Sequence, residues 1–358
     1  MKVTQKRGKI MSNITRSLLT FMAALLLISC TAAFPVTVTD CYGNEFIIPE
    51  KPQRIVSLSP SNTEILFAVG AGHTVVGVTN YDTYPPEVSD IEKIGDYVII
   101  DNEKVLDLEP DVVFAYYANG NETIEALKDL GLTVITLNPT TIDEIMGNIE
   151  LIGKVTGHED EAASEIANMT TVINQVKNST AEIPENDRPS VLYVVSIEPM
   201  YVAGNDTFPS SMITLAGGKN IVETDGWSIL TLEDIVDKNP QIIICSGMGG
   251  LGDDIQEYMT TNSAIATTDA VKEQRVYAIP DPNIVEIPGP RIAIGLEEIY
   301  SYIHPQVQQQ ISAEMSEDSD GNETTPSETD TNKAPGFEAS IALLMVIFSL
   351  KVTKFRRK

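Results

Sequence analysis

The chain contains few of the residues on which metal and nucleophile chemistry depend. Its 358 residues include three cysteines, three histidines and one tryptophan. It has no Gly-x-x-x-x-Gly-Lys-Ser/Thr phosphate loop, no Gly-x-Ser-x-Gly motif and no His-Glu-x-x-His motif. The histidines, His73, His158 and His304, are too few and too scattered to form a transition-metal site. We therefore expect no enzyme activity, no metal site and no bound cofactor.

Cysteine and glycine offer two further leads, and neither holds. After Cys30 only Cys41 and Cys245 remain. We expect them to be buried free thiols rather than a disulfide, because they fall in different lobes of the two-lobed fold predicted below. The run Gly247-Met-Gly-Gly-Leu-Gly252 spells the Gly-x-Gly-x-x-Gly dinucleotide fingerprint. No acid ends the next predicted strand, Arg275–Ile279, so we interpret these glycines as a loop at the carboxyl end of a strand.

Basic residues are also scarce outside the two ends of the chain. The net charge is -27, yet residues 1–30 and 351–358 hold ten of the 24 Lys and Arg residues and no acid. The remainder thus carries 14 basic against 51 acidic residues. Such a surface repels phosphate backbones, so nucleic acid is not an expected partner.

The amino-terminal end has the pattern of a secretory signal, which we place at residues 1–33. Basic residues precede an apolar run, Leu18–Ile28, that is short for a membrane span. Leu27-Ile-Ser-Cys30 resembles a bacterial-type lipobox, in which Cys30 would be acylated. Cleavage after Ala33 is the alternative. Either way we expect export to the outer face of the cytoplasmic membrane.

The carboxy-terminal end predicts a stalk and an attachment segment. Residues 312–334 are rich in Ser, Thr and acids with almost no apolar side chains, which is typical of disorder. Residues 335–358 contain Pro-Gly-Phe, an apolar stretch and a basic end, and so resemble the archaeal PGF sorting signal. The alternative is a plain transmembrane anchor, although twelve apolar residues are fewer than the roughly 20 that a span needs.

Between residues 34 and 311 the pattern predicts an α/β fold with parallel sheets. We expect lobes at 34–155 and 188–311, joined through residues 156–187 by one long helix beginning near Glu159. Ser61 and Glu64 predict a capping box at the start of a helix. Predicted strands are Arg54–Leu58, Val75–Val78, Val112–Ala115, Thr133–Thr136, Val191–Val195, Gln241–Cys245 and Arg275–Ile279.

The two halves also repeat each other. Glu103 stands seven residues before Pro110, and Glu233 stands seven residues before Pro240, with an Asp four residues after each Glu. A predicted strand follows each proline, so we interpret the lobes as duplicated units.

Three segments together resemble one protein family: the runs Arg54–Glu64, Tyr81–Pro86 and Tyr201–Gly204. This family is the helical-backbone class of ABC-importer binding proteins, which includes vitamin B12 and iron–siderophore binders. The resemblance implies two Rossmann-like lobes bridged by a rigid helix, with a ligand in the cleft between them. It also implies a permease dimer with its ATPase subunits as the partner, and we expect the binding protein itself to be a monomer.

The resemblance to the B12 binder is specific enough to imply site residues. It places the ligand against Pro60, Ser61, Asn62, Tyr81, Tyr97, Tyr116, Tyr201 and Trp227. It assigns permease docking to Glu103 and Glu233, although each could instead be only a first-turn acid that stabilises its helix. Asn283 and Ile287 depart from the Asp and Arg of the B12 binder. A cobalamin-like corrinoid is the expected ligand, with a ferric hydroxamate siderophore or haem as the alternative, and a surface adhesion or sensor role as a third.

Overall fold

The computed structural model describes residues 34–247 and 250–305. The predicted signal at 1–33 with Cys30, the stalk at 312–334 and the segment 335–358 lie outside the described residues. Among the residues described, none of the helices has the length and apolar character needed to cross a bilayer. The described chain folds into two α/β lobes, as predicted.

The amino-terminal lobe is built on a five-stranded, fully parallel sheet of order β5-β4-β3-β6-β7. A short antiparallel hairpin, β1 and β2, precedes this sheet. The strands are β1 (Val36–Thr39), β2 (Glu45–Ile48), β3 (Ile55–Ser57), β4 (Val75–Val78), β5 (Glu92–Lys93), β6 (Val112–Tyr116) and β7 (Val134–Leu137). Its helices are α1 (Pro60–Ala68), α2 (Asn102–Asp107), α3 (Asn121–Asp129) and α4 (Ile142–Thr156).

The carboxy-terminal lobe has a mixed sheet of order β11-β9-β8-β12-β13, in which β10 also pairs with β8. Strands β8, β12, β13 and β10 are parallel, whereas β9 and β11 form an antiparallel ribbon at one edge. The strands are β8 (Ser190–Val194), β9 (Tyr201–Ala203), β10 (Lys219–Asn220), β11 (Trp227–Ile229), β12 (Ile242–Cys245) and β13 (Val276–Ala278). After the joining helix α5 (Glu159–Thr180), the helices are α6 (Phe208–Leu215), α7 (Leu232–Lys238), α8 (Gly252–Thr261), α9 (Asp269–Lys272), α10 (Asn283–Glu286) and α11 (Ile292–Ile303).

A 22-residue helix, α5 (Glu159–Thr180), joins the lobes. Three acidic residues in its first turn stabilise the helix by interacting with the positive end of the helix dipole. Helix α4 is capped at its carboxyl end by Gly157, which adopts φ 63°, the left-handed conformation that glycine adopts without strain. The buried face of α5, including Val172 and Val176, belongs to one hydrophobic cluster that also takes in Ile65 of the first lobe and Ile213 of the second. The lobes therefore share a continuous core.

The strand predictions are accurate where a strand is central and buried. Val75–Val78 is confirmed, and the other six predicted strands are present with no end shifted by more than one residue. The hairpin β1–β2 and the ribbon β9–β11 were not predicted. These strands have four residues or fewer, so each is too short to show a sustained apolar run or a clear alternation of apolar and polar residues.

The predicted capping box at Ser61 and Glu64 is wrong. Helix α1 begins with Pro60 at its first position, and Ser59 is the N-cap. Proline suits this position because its φ angle is already helical and it lacks an N–H that would go unbonded. The Ser61 hydroxyl hydrogen bonds to the Ser59 hydroxyl at 2.8 Å. The Glu64 side chain does not fold back onto the helix end.

The prediction of two buried thiols is half right. Cys245, at the end of β12, is fully buried, and burial raises its pKa to about 12. Cys41 is exposed, because it lies in the turn between β1 and β2 rather than in a core element. Both cysteines are free.

The internal repeat has a matching local structure in each lobe. Helices α2 and α7 begin after the N-cap residues Asp101 and Thr231, whose side chains accept a backbone hydrogen bond three residues on. Each helix is followed by a left-handed residue, Glu109 at φ 45° and Asn239 at φ 42°. A proline and a central strand then follow. The two halves are built to the same local plan.

Gly204 allows the β9–β11 ribbon to close. A Cβ at this position would collide with the Thr224 carbonyl oxygen, which is fixed in the backbone. We expect Gly204→Ala to lower the free energy of unfolding by about 2 kcal/mol, as overpacking typically does. Gly147 in α4 has open space around it, so Gly147→Ala should raise stability by about 0.5–1 kcal/mol. Urea titration measures both changes, and equal effects of the two variants would contradict this account.

Candidate functional site

The carboxyl ends of the parallel strands in the two lobes face each other. Ligands in open α/β sheets bind outside these ends. Arg291 follows β13 in the second lobe, and Glu64 lies in the helix that follows β3 in the first. Their side chains are in direct contact. The loops after β3, β4 and β6 therefore oppose the loops after β8, β12 and β13, and the space between them is the candidate cleft.

A nearly buried ion pair forms the floor of this cleft. The Arg291 guanidinium donates to both oxygens of Glu64, from Nη2 to Oε1 at 2.6 Å and from Nε to Oε2 at 3.0 Å. Its Nη1 donates to Asp281 Oδ2 at 2.6 Å, and its Cζ lies 4.0 Å from the centre of the Tyr84 ring. The side chains of Arg291 and Glu64 are 12% and 3% exposed. Such bidentate, charge-assisted geometry fixes both orientation and spacing.

The cluster of Arg291, Glu64 and Asp281 carries a net negative charge. Burial raises the pKa of the Glu64 carboxyl, and the contact with Arg291 opposes that rise. One guanidinium faces two carboxylates, so Arg291 has no charge left over for a ligand.

The other three arginines of the described residues lie away from the cleft. Arg54, Arg188 and Arg275 stand just before β3, β8 and β13, at the amino ends of those strands. Each donates to a backbone carbonyl, of Leu108, Thr214 and Ile303 respectively. The described cleft thus contains no unpaired guanidinium.

Predicted aromatic residues of the first lobe gather at these strand ends. Tyr97 and Tyr116 are brought together, with ring centroids 5.9 Å apart and an interplanar angle of 47°. Both are half-buried, and burial raises the pKa of each hydroxyl, so both stay neutral. Tyr81, in the loop after β4, is 59% exposed. Asp82 fastens that loop by accepting from the Thr79 amide at 2.9 Å.

The second lobe presents its predicted aromatics on the β9–β11 ribbon. Trp227 pairs with Ala203, and Tyr201 pairs with Ile229. Because side chains alternate along a strand, Tyr201 and Trp227 lie on the same face as diagonal neighbours. They are 39% and 48% exposed. Exposed aromatic faces of this size are typical of a surface that receives a ligand.

The remaining predicted contacts, Pro60, Ser61 and Asn62, occupy the turn from β3 into α1. Pro60 is half-buried, whereas Ser61 and Asn62 are 2% and 1% exposed. The Asn62 amide donates to the carbonyls of Phe114 and Ala115, so it ties α1 to the end of β6. The side chains of Ser61 and Asn62 are thus engaged within the lobe, and they position the loop.

Several cleft residues were not predicted as part of the site. They include the floor residues Glu64, Tyr84, Asp281 and Arg291. They also include Glu286, which accepts from Ser246 Oγ at 2.6 Å and from Tyr193 at 3.4 Å, and whose carboxyl pKa is raised by burial. Glu64 and Arg291 are 227 residues apart, and no local pattern links them. The sequence signal that could have drawn attention to Arg291 is the scarcity of arginine itself.

Glu103 and Glu233 occupy matching exposed places at the cleft side of the two lobes. Each is the second residue of its helix, α2 or α7. These helices connect forward to β6 and β12, so they run against those strands and begin at the carboxyl edge of the sheet. Neither glutamate forms an ion pair with any described residue.

The described residues contain no group of three or more His, Cys, Asp or Glu side chains arranged to hold a metal ion. Within the glycine run, Gly247 stands two residues after the end of β12 at Cys245, and α8 begins at Gly252. Met248 and Gly249 lie outside the described residues. The loop therefore stands at the carboxyl end of a strand, as expected.

Comparison with known proteins identifies the class to which this fold and cleft belong. The profile of the periplasmic binding protein family matches residues 55–282. An ABC transporter substrate-binding lipoprotein of Bacillus subtilis, YvrC, is 36% identical over 282 residues, 77% of this chain and 87% of the relative. The chain belongs to the periplasmic binding protein family, and its role is that of a substrate-binding protein of an ABC transporter.

Two further relatives differ in the ligand that their names give. The vitamin B12-binding protein of Vibrio cholerae is 27% identical over 290 residues, 79% of this chain and 98% of the relative. Its crystal structure superposes with a TM-score of 0.62 over 71% of this chain and 98% of that one, at 25% identity. A possible iron-binding, periplasmic solute-binding protein of Staphylococcus epidermidis gives a TM-score of 0.62 and 31% identity, covering 71% and 100%.

The ion pair on the cleft floor generates a stability prediction. Arg291→Met leaves Glu64 as a buried carboxylate without its partner, which typically costs about 3–5 kcal/mol. The folded pKa of Glu64 then rises further, while the unfolded chain loses this proton near pH 4.3. The cost should therefore be small below about pH 4 and grow as the pH rises above that value.

Urea unfolding of this variant at pH 4 and pH 7.5 measures the difference. The matched control is the double variant Arg291→Met/Glu64→Met, which removes both charges and should recover most of the loss. A penalty independent of pH, or no recovery in the double variant, would contradict this account of the ion pair.

Proposed function

We propose that this protein captures a cobalamin-like corrinoid outside the cytoplasm and delivers it to an ABC importer without catalysing a reaction. The observation that carries the proposal is a cleft with aromatic faces from both lobes and no unpaired arginine among the described residues. A corrin ring is broad and mostly apolar, and neutral amides fringe it. Flat aromatic side chains offer large contact area to such a ring at low conformational cost.

The charge of the cleft supports a corrinoid over an anionic iron chelate. Glu64 and Asp281 together outweigh the positive charge of Arg291. A catecholate siderophore or the two propionates of haem would call for paired guanidinium donors. The Vibrio relative, named for vitamin B12 binding, supports the same choice.

A neutral ferric hydroxamate is the second candidate. It requires no arginine, and the Staphylococcus relative is named as a possible iron binder. Asn283 and Ile287 also replace charged residues of the B12 binder. Haem is less well supported because of its carboxylates. A surface adhesion or sensor role would not require the two exposed glutamates at matching places.

We further propose that the protein is held at the outer face of the membrane as a monomer. The lipobox-like Cys30 and the carboxy-terminal segment each offer an attachment, and YvrC is named as a lipoprotein. A protein tethered to the membrane cannot diffuse away from its permease, so tethering raises the effective concentration of the binding protein near that partner.

Titration with cobalamin, cobinamide and a ferric hydroxamate tests the ligand. We expect the purified protein to bind a corrinoid with 1:1 stoichiometry, measured by calorimetry and by the absorbance of the corrin. Saturation by the ferric hydroxamate with no heat from either corrinoid would overturn the corrinoid proposal in favour of the second candidate.

The aromatic faces should carry much of the affinity. Trp227→Ala and Tyr81→Ala each remove a large anchor, so we expect affinity to fall at least tenfold, about 2 kcal/mol, without a change in melting temperature. Tyr42→Ala is the matched control, since Tyr42 is 43% exposed but lies in the hairpin of the first lobe. Early melting with normal affinity would show that the altered residue is structural.

Glu103 and Glu233 are proposed to pair with basic residues on the two permease subunits. Glu103→Arg and Glu233→Arg place like charges at that contact, so each should abolish transport and ATPase stimulation while ligand affinity stays unchanged. Glu45→Arg, an exposed acid of the β1–β2 hairpin, controls for the change in net charge. Full transport by the double variant would show that the two glutamates do not dock.

A further inference from the structure

Two exposed isoleucines stand at equivalent places in the two lobes. Ile99 is 76% exposed and Ile229 is 57% exposed. Each lies two residues before the N-cap of its helix, Asp101 for α2 and Thr231 for α7. The same offset of 130 residues relates three pairs: Tyr97 and Trp227, Ile99 and Ile229, and Glu103 and Glu233.

A single exposed isoleucine requires no explanation, because apolar side chains are common on protein surfaces. The repetition is different. Most surface positions of a duplicated unit are free to vary, whereas the same large apolar side chain is exposed at the same place in both copies. It also stands four residues before the exposed glutamate in each copy.

Local structure holds both isoleucines outward by different means. In the first lobe, the Ile99 carbonyl accepts from Asp96 N at 2.8 Å, which closes a turn. In the second, Ile229 pairs with Tyr201 in the β9–β11 ribbon. The next residue packs inward in each case: Ile100 and Leu230 contact the cores of their lobes. Exposure is thus common to both sites although the backbone differs.

Both isoleucines are surrounded by acidic residues, and this negative charge restricts the kinds of partner that could bind there. The exposed acids within six residues are Asp96, Asp101 and Glu103 in the first lobe, and Glu223, Asp225, Glu233 and Asp234 in the second. Lys104, the one exposed base in these two ranges, is paired with Glu92. Anionic lipid and a second copy of this chain are both disfavoured by repulsion. A partner surface with an apolar pocket beside a basic group is complementary to each site.

We propose that Ile99 and Ile229 are the apolar anchors of two equivalent docking sites, one on each lobe. Each anchor would enter a pocket on one subunit of a two-fold symmetric permease, beside the basic residue that pairs with Glu103 or Glu233. A partner with two identical subunits presents the same pocket twice, which matches the repeated pair. The proposal rests on the proposed function, and it names what supplies affinity at the docking surface, since exposed rim charges mainly affect association rate and specificity.

Isoleucine-to-serine variants test the proposal with the full chain and its own reconstituted importer. Ile99→Ser and Ile229→Ser should each weaken docking about tenfold, and the double variant about a hundredfold, from the apolar area that each side chain buries. Melting temperature should not change. Ile229 lies opposite Tyr201 on the face that carries Trp227, so cobalamin affinity is measured beside docking, and it should fall far less than it does for Trp227→Ala. Ile47→Ser is the matched control, because Ile47 is 71% exposed in β2 and has no counterpart in the second lobe.

Three results would overturn the proposal. Docking of the double variant could equal that of Ile47→Ser, so that the isoleucines carry no docking energy. Cobalamin affinity could fall while docking of the loaded protein persists, so that they line the cleft. The wild-type protein could self-associate through them, seen by ultracentrifugation as a dimer that the double variant loses. Failure of the proposed function is distinct, because the wild-type protein would then neither dock nor stimulate the ATPase.

Discussion

The contact between Arg291 and Glu64 is the constraint on which the geometry of the cleft depends. It joins the two lobes at the cleft floor through two hydrogen bonds of 2.6 and 3.0 Å between side chains that are almost fully buried. Helix α5 and the core that crosses between the lobes hold them together elsewhere. A buried, bidentate ion pair does not tolerate displacement, because each separated charge would lose both its partner and its solvation. The opposing loops are therefore held at a set distance.

The same ion pair decides what kind of molecule the cleft suits. It uses the one arginine of the described cleft for structure and leaves an excess of carboxylate. The aromatic side chains then supply the surface that a ligand meets, from a tyrosine pair in one lobe and from the β9–β11 ribbon in the other. These features favour a neutral, broad and largely apolar ligand. Anionic chelates are disfavoured by the charge rather than by the shape of the site.

Duplication separates the two tasks of the protein. At the centre of the cleft the lobes differ in what surrounds the equivalent aromatics: Tyr97 packs against Tyr116 in the first lobe, whereas Trp227 shares a β-ribbon with Tyr201 in the second. A ligand without symmetry is thereby met by two different faces. At the outer rim the lobes agree, in the caps of α2 and α7 and in the isoleucine and glutamate beside each cap. A partner with two equal subunits can only make use of what the lobes share.

The sequence by itself determined the α/β class, the central buried strands, the helix joining the lobes and the repeat around Glu103 and Glu233. These features depend on periodicity and on turn chemistry that short windows of residues contain. The ribbon that presents Trp227, the burial of Ser61 and Asn62, and the role of Glu64 were decided only by the tertiary structure. Edge strands acquire their conformation from their neighbours. Glu64 forms its ion pair with an arginine that lies 227 residues away in the sequence, and only folding brings the two side chains into contact. An ion pair between distant segments leaves no periodic trace in either one, because it requires a single residue on each side.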